Sequence, residues 1–138
     1  CDPKERRPTP DEVNREITDS QWKAQVYRCM RRIPTLEEPS RKRGVVDLYD
    51  VSDDWLPIYD STRIKGYYMA IGSSGNQFKN APIAGHCMAE LIEACEKGQN
   101  HDEDPVQVKT VYTGLTLNMG FYSRNREINP NSSFSVNG

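Results

Sequence analysis

Tyr67-Tyr68-Met69-Ala70-Ile71-Gly72-Ser73-Ser74-Gly75-Asn76-Gln77-Phe78-Lys79-Asn80-Ala81-Pro82 is the stretch on which the reading of this chain turns. Tyr67 to Ile71 is apolar and rich in aromatic and branched residues, and Gly72 to Lys79 is mostly small and polar. From Pro82 to Cys95 apolar residues recur at helical spacing. That order predicts a buried strand, a glycine loop and a buried helix. Gly72 and Gly75 admit backbone conformations that residues with a β-carbon avoid, and they let a second molecule approach the main chain. The loop would then aim the first free N–H groups of the helix at one point. Such a point favours negative charge, from phosphate, a carboxylate or a reduced cofactor ring. An ordinary strand-to-helix turn is the alternative, and a glycine pair alone favours it. The loop lacks the Gly-Lys-Ser/Thr ending of a P-loop, and no Gly-x-Gly-x-x-Gly fingerprint occurs in the sequence.

Working outward, 138 residues are enough for one modest domain. The composition is 36% hydrophobic and 28% charged with nine Pro and nine Gly, and mean hydropathy is −0.80. That apolar share is low for a globular domain and fits a piece of a larger fold. A net charge of −2 gives no basic field for nucleic acid, so Arg31-Arg32 and Arg41-Lys42-Arg43 are read as solvated clusters. No apolar run is long enough for a membrane span, and no signal-peptide pattern opens the sequence. Cys1, Cys29, Cys87 and Cys95 are scattered, without Cys-x-x-Cys or Cys/His clustering, which argues against a metal site. Cys87 and Cys95 stand about two turns apart on one helix, too far for a mutual disulfide. Reduced, buried thiols in a cytoplasmic protein are the expectation.

In chain order, Cys1 to Pro8 is charged and begins as if cut from the end of a preceding strand. Thr9-Pro10-Asp11-Glu12 predicts a short helix to about Ile17. Thr18 with Gln21 has capping-box spacing, and Trp22, Val26, Cys29, Met30 and Ile33 share one face. A second helix running to the residue before Pro34 should therefore pack that face into a core. Gly44 to Val51 has the β-branched content of a strand. Ser52 to Pro57 reads as a turn and Leu56 to Tyr59 as a short strand, with Tyr67 to Ile71 returning beside it. The second long helix should end near Gly98, with Lys97 complementing its dipole. Gln99 to Asp104 is read as an acidic linker with a solvated His101, Val106 to Tyr112 as a strand, and Asn125 to Gly138 as an irregular tail. His86 is placed on the apolar helix as a face residue rather than a base, and Asp53-Asp54 on a solvated or capping turn.

The run Asp47-Leu48-Tyr49-Asp50-Val51-Ser52-Asp53-Asp54-Trp55-Leu56-Pro57-Ile58-Tyr59-Asp60, followed by Gly66 to Pro82 and Ala89-Glu90-Leu91-Ile92, resembles a known family. It is similar to the C-terminal segment of the FAD-dependent amine and amino-acid oxidoreductases, the D-amino-acid oxidase, sarcosine oxidase and dimethylglycine dehydrogenase superfamily. The likeness spans roughly residues 30 to 95, and it is the order of the blocks that makes it specific.

The resemblance implies an α/β fold, more closely an α+β fragment: the C-terminal part of a two-domain FAD-binding oxidoreductase. A strand, glycine loop and helix would pack with short strands and two N-terminal helices. Residues 1–50 would end the substrate-domain-like region, 51–98 would be the C-terminal segment of the FAD-binding domain, and 99–138 a partly irregular extension. The family's dinucleotide fingerprint lies upstream in a longer chain, so this sequence is expected to be a C-terminal fragment.

By the same resemblance Gly72, Ser73, Ser74, Gly75, Asn76, Gln77 and Phe78 border the flavin, Lys79 meets the substrate carboxylate, and Tyr49 orients the substrate. Asp47 stands where some sarcosine oxidases carry the cysteine bonded to the flavin, so FAD is expected to be held without a covalent bond there. The alternatives are a solvent-facing Lys79, whose charge would oppose the helix dipole, and a Tyr49 that only packs. The implied function is oxidation of a secondary amine or amino acid by hydride transfer to flavin. The fragment itself is expected to be inactive and to bind FAD weakly, with a small-molecule substrate and the upstream FAD-binding half as partners. From a different class, a non-catalytic interaction or regulatory module could keep the scaffold without the cofactor.

Overall fold

A computed structural model of the chain describes residues 9–132. The readings of Cys1 to Pro8 as the end of a strand, and of the last six residues of the tail, lie outside the described residues. The chain divides between Leu48 and Tyr49 into two compact units. Among the described residues the fold is mixed α/β, with two α-helices and two small antiparallel sheets.

In the N-terminal unit, Pro10–Glu12 forms a single 3-10 turn rather than a helix to Ile17. The Thr9 side chain makes no capping bond, and Val13 is already extended, so the costly first turn is never propagated. Helix α1, Asp19–Arg32, follows the sequence closely. The Thr18 side chain accepts from the Gln21 amide while the Gln21 side chain accepts from the Thr18 amide, a complete capping box. Arg31 and Arg32 complement the dipole in the last turn. The core expected under α1 is absent, because none of its residues is buried. Trp22, Val26 and Met30 are half-buried, while Cys29 and Ile33 are exposed. Lys42 Nζ pairs with Asp19 Oδ1 at 2.7 Å, so one member of the basic cluster has an acidic partner. The strand expected over Gly44 to Val51 does not form, since among the described residues no second strand offers it a ladder.

In the C-terminal unit, β1 (Ile58–Ser61) pairs antiparallel with β2 (Tyr68–Ile71), in register from Ile58 against Ile71 to Ser61 against Tyr68. The burial order is the reverse of the expectation. β1 carries buried Tyr59 and Asp60, whereas β2 is at most half-buried and Ile71 is 50% exposed. Helix α2 (Ala81–Glu96) packs over β1 and leaves β2 at the edge. α2 ends at Lys97 and a left-handed Gly98, as its sequence predicts. Its buried residues are Cys87 and Leu91.

The segment after Gly98 completes the core. β3 (Gln107–Lys109) and β4 (Thr116–Asn118) form the second antiparallel pair, and Met119–Tyr122 makes a 3-10 turn. Tyr59, Cys87, Leu91, Val106, Val108 and Met119 pack as one cluster. Tyr122 adds its ring against Tyr59 at 5.3 Å. His101 is buried, not solvated: its Nδ1 accepts from the Val106 amide, and its Nε2 lies 3.7 Å from Asp60 Oδ1. His86 does sit on the helix face, where its Nε2 donates to the Lys109 carbonyl at 3.1 Å.

Candidate functional site

The loop from Gly72 to Phe78 follows β2 and enters α2 through a short 3-10 turn, Phe78–Asn80. Gly72 (φ 69°), Ser74 (φ 49°) and Gly75 (φ 70°) are all left-handed. Glycine takes that conformation freely, but Ser74 needs to be held there. Its amide donates to the Asp50 carbonyl at 2.8 Å and its hydroxyl to the Gly72 carbonyl at 3.2 Å. A β-carbon at Gly72 would also crowd the turn, lying 3.2 Å from Ser52 Cβ.

The amides that converge on an anion are not those of the helix start: they belong to Gly72 and Ser73, just after β2, and the chain's own Asp50 carboxylate occupies them. Asp50 accepts from the Gly72 amide in a short contact, from the Ser73 amide at 3.0 Å and from the Ser73 hydroxyl at 2.6 Å. Partial burial pushes the Asp50 carboxyl up, but the bonds from the Ser73 hydroxyl and the two amides together outweigh it and hold the group below its ordinary value. Gly72 and Ser74 are buried, and Ser74 has no exposed surface. None of these bonds uses the amides of Gly75 or Gln77.

The second half of the loop faces outward. Gly75 and Lys79 are exposed, Asn76 and Gln77 are half-buried, and Phe78 is 98% exposed. Asn76 Oδ1 accepts from Lys79 Nζ at 2.8 Å, and Gln77 Oε1 accepts from the buried Tyr59 hydroxyl at 3.0 Å. Tyr49, half-buried, immediately precedes Asp50, so the hydrogen bonds of Asp50 bring its segment to the loop. Burial raises the Tyr49 phenol above its ordinary value, which keeps it protonated and a donor. Asp47 belongs to the N-terminal unit, where its carboxylate accepts from the Leu48 amide at 2.8 Å.

The residues thus separate by what they can still do. Gly72, Ser73 and Ser74 shape the loop but have their donors committed, so they do not fit a role as direct partners of a cofactor ring. Gly75, Gln77, Phe78 and Lys79 fit that role, with an exposed glycine backbone, a planar apolar side chain and a cation, whereas the half-buried Asn76 has its amide committed to the Ser73 carbonyl at 3.0 Å. A separate cavity of about 330 Å³ opens elsewhere, between the hairpin turn and the end of α2, lined by Lys65, Tyr68, Cys95, Glu96 and His101 among others. Tyr68 donates to Glu96 Oε1 there at 2.7 Å, which raises the phenol to about 12.

The sequence reading missed the groups that hold the site. Asp54, expected on a solvated or capping turn, does cap the Leu56 amide at 3.2 Å, but it is 1% exposed rather than solvated and is bound bidentately by Arg126, at 2.8 Å from Nε and 2.5 Å from Nη2. The guanidinium holds its carboxyl down to about 2 against the opposing effect of burial. Arg124, two residues earlier, donates to the Ser61 carbonyl and pairs with Asp60 and Asp102. The available signal was two closely spaced arginines, Arg124 and Arg126, in an otherwise polar tail.

No family model matches the chain, and neither does any curated protein or solved structure. No helix among the described residues is long and apolar enough to cross a membrane.

Proposed function

We propose that this chain is the part of an FAD-dependent amine or amino-acid oxidoreductase that presents Gly75 to Lys79 to flavin and substrate. The observation that supports this reading is the convergence at Asp50. Four hydrogen bonds from Gly72, Ser73 and Ser74 to Asp50, between residues 22 to 24 positions apart, join two blocks of the family resemblance. FAD, when bound, supplies the hydride acceptor. The chain supplies the backbone of Gly75 to Phe78 beside the ring, the Lys79 ammonium for a substrate carboxylate, and the protonated Tyr49 hydroxyl to orient the substrate. No dinucleotide fingerprint is present in the sequence, so the ADP end is held by an FAD-binding half outside this chain, and the fragment alone binds FAD weakly. With Asp47 at the position of the linking cysteine, attachment there is non-covalent. The setting is the cytoplasm, with Cys29, Cys87 and Cys95 as free thiols.

The visible spectrum of the whole protein tests this. A yellow protein, bleached when a secondary amine or amino acid is added without oxygen, supports the enzyme. A colourless protein that added FAD does not restore overturns it. The Asp50 carboxylate seated on the Gly72 and Ser73 amides favours a second reading, a non-catalytic interaction or regulatory module whose anion site is permanently filled. That reading predicts the colourless outcome.

A further inference from the structure

We infer that Arg126, in the segment after the region of family resemblance, is a positioning residue for the glycine loop, acting through Asp54, Leu56 and Ser52. The inference rests on reading this loop as the site, but its geometry is independent of any cofactor.

The contacts run without a gap. Arg126 grips the Asp54 carboxylate with two nitrogens, and its Nη2 also donates to the Leu56 carbonyl at 3.1 Å. The same carbonyl accepts from the Ser52 hydroxyl at 2.6 Å, and that hydroxyl lies 3.2 Å from Asp54 Oδ1. Asp54 Oδ1 further accepts from the Leu56 amide at 3.2 Å, and the Ser132 hydroxyl closes the turn from its other side on the Asp54 carbonyl. Gly72 sits directly on this turn: a β-carbon built on it would be 3.2 Å from Ser52 Cβ and 3.5 Å from the Leu56 carbonyl oxygen.

The turn has bonds of its own, including Trp55 amide to Ser52 carbonyl at 3.2 Å, but it also carries backbone strain at its centre. Trp55, between Asp54 and Leu56, is left-handed at φ 62°, a conformation that bulky residues adopt only where their surroundings impose it. Arg126 and Asp54 bind on both sides of that residue. With the guanidinium removed, Trp55 can relax toward extended backbone, and the surface against which Gly72 is seated moves with it.

Amide hydrogen exchange in the folded chain, resolved by residue, tests this. In Arg126→Met the Gly72, Ser73 and Ser74 amides should exchange about tenfold faster relative to the Thr110 amide, which opens locally from the Leu115 carbonyl in a turn outside this network, and Arg126→Lys should fall between Arg126→Met and the parent. Unchanged loop exchange in a folded Arg126→Met chain overturns the inference. Should Arg126→Met unfold as a whole, Ser52→Ala decides. A rise confined to Gly72 and its neighbours supports the relay, and exchange equal to the parent's overturns it. The flavin spectrum of the whole protein plays no part in this readout, so either proposal can fail alone.

Discussion

Asp50 and Asp54 lie one helical turn apart in sequence number, and both are held ionised, yet they do opposite jobs. Asp50 is exposed and binds backbone amides of the glycine loop. Asp54 is buried and binds a side chain 72 residues away. The first contact shapes a loop from one side while water remains close. The second takes a carboxylate and a guanidinium out of water, and it is tolerable only because both are nearly fully bonded. Exposed contacts of the first kind can be exchanged for water at modest cost, and buried pairs of the second kind cannot.

Breaking the buried member should have the largest effect. Arg126→Met leaves Asp54 buried without its cation and should cost about 3–5 kcal/mol in urea unfolding. Next in size is the pH dependence. The carboxyl of Asp54 is held at about 2 in the folded chain, against an ordinary value of 3.8. Its pairing therefore contributes about 2 kcal/mol that is complete above roughly pH 4 and is lost as pH falls toward roughly pH 2. Urea midpoints measured across that window should show the loss in the parent, and Asp54→Asn should remove that part of the slope. Asp50→Asn should cost less, about 1–2 kcal/mol, because the amide side chain still offers one acceptor and water can reach the rest. Lys79→Met, on the open half of the loop, should leave stability within about 0.5 kcal/mol of the parent while slowing amine-dependent bleaching of the whole protein. Unchanged bleaching would remove Lys79 from the mechanism.

The same contrast explains what could be read in the sequence. α1 was legible because its determinants are local: Thr18 and Gln21 for the start, and Pro34 just beyond the end. The order of β2, glycine loop and α2 was legible from periodicity and glycine placement. Which strand is buried was not, because that depends on α2 crossing β1 rather than β2. The region Gly44 to Val51 has strand composition without a partner, and composition alone makes no ladder. His101 and Asp54 look like solvated polar residues until the chain after Gly98 folds back, and no local pattern announces partners that far away. At the candidate site an anion-favouring loop was foreseen, but on the helix-start amides rather than on Gly72 and Ser73 beside β2, and its occupant was not foreseen. Asp50 lay inside the very block that carried the resemblance, and only the folded backbone reveals that it reaches Gly72 and Ser73.

The most direct measurement on that point is a pH titration of the loop amides by NMR in the chain as it stands. If Asp50 is seated on them as an anion, the Gly72 and Ser73 resonances should move together with a midpoint below the ordinary carboxylate value of about 3.9, while those of Gly75 and Gln77 stay in place. A midpoint at or above that value, or movement at Gly75 and Gln77 in place of Gly72 and Ser73, would contradict a loop closed in its first half and open in its second.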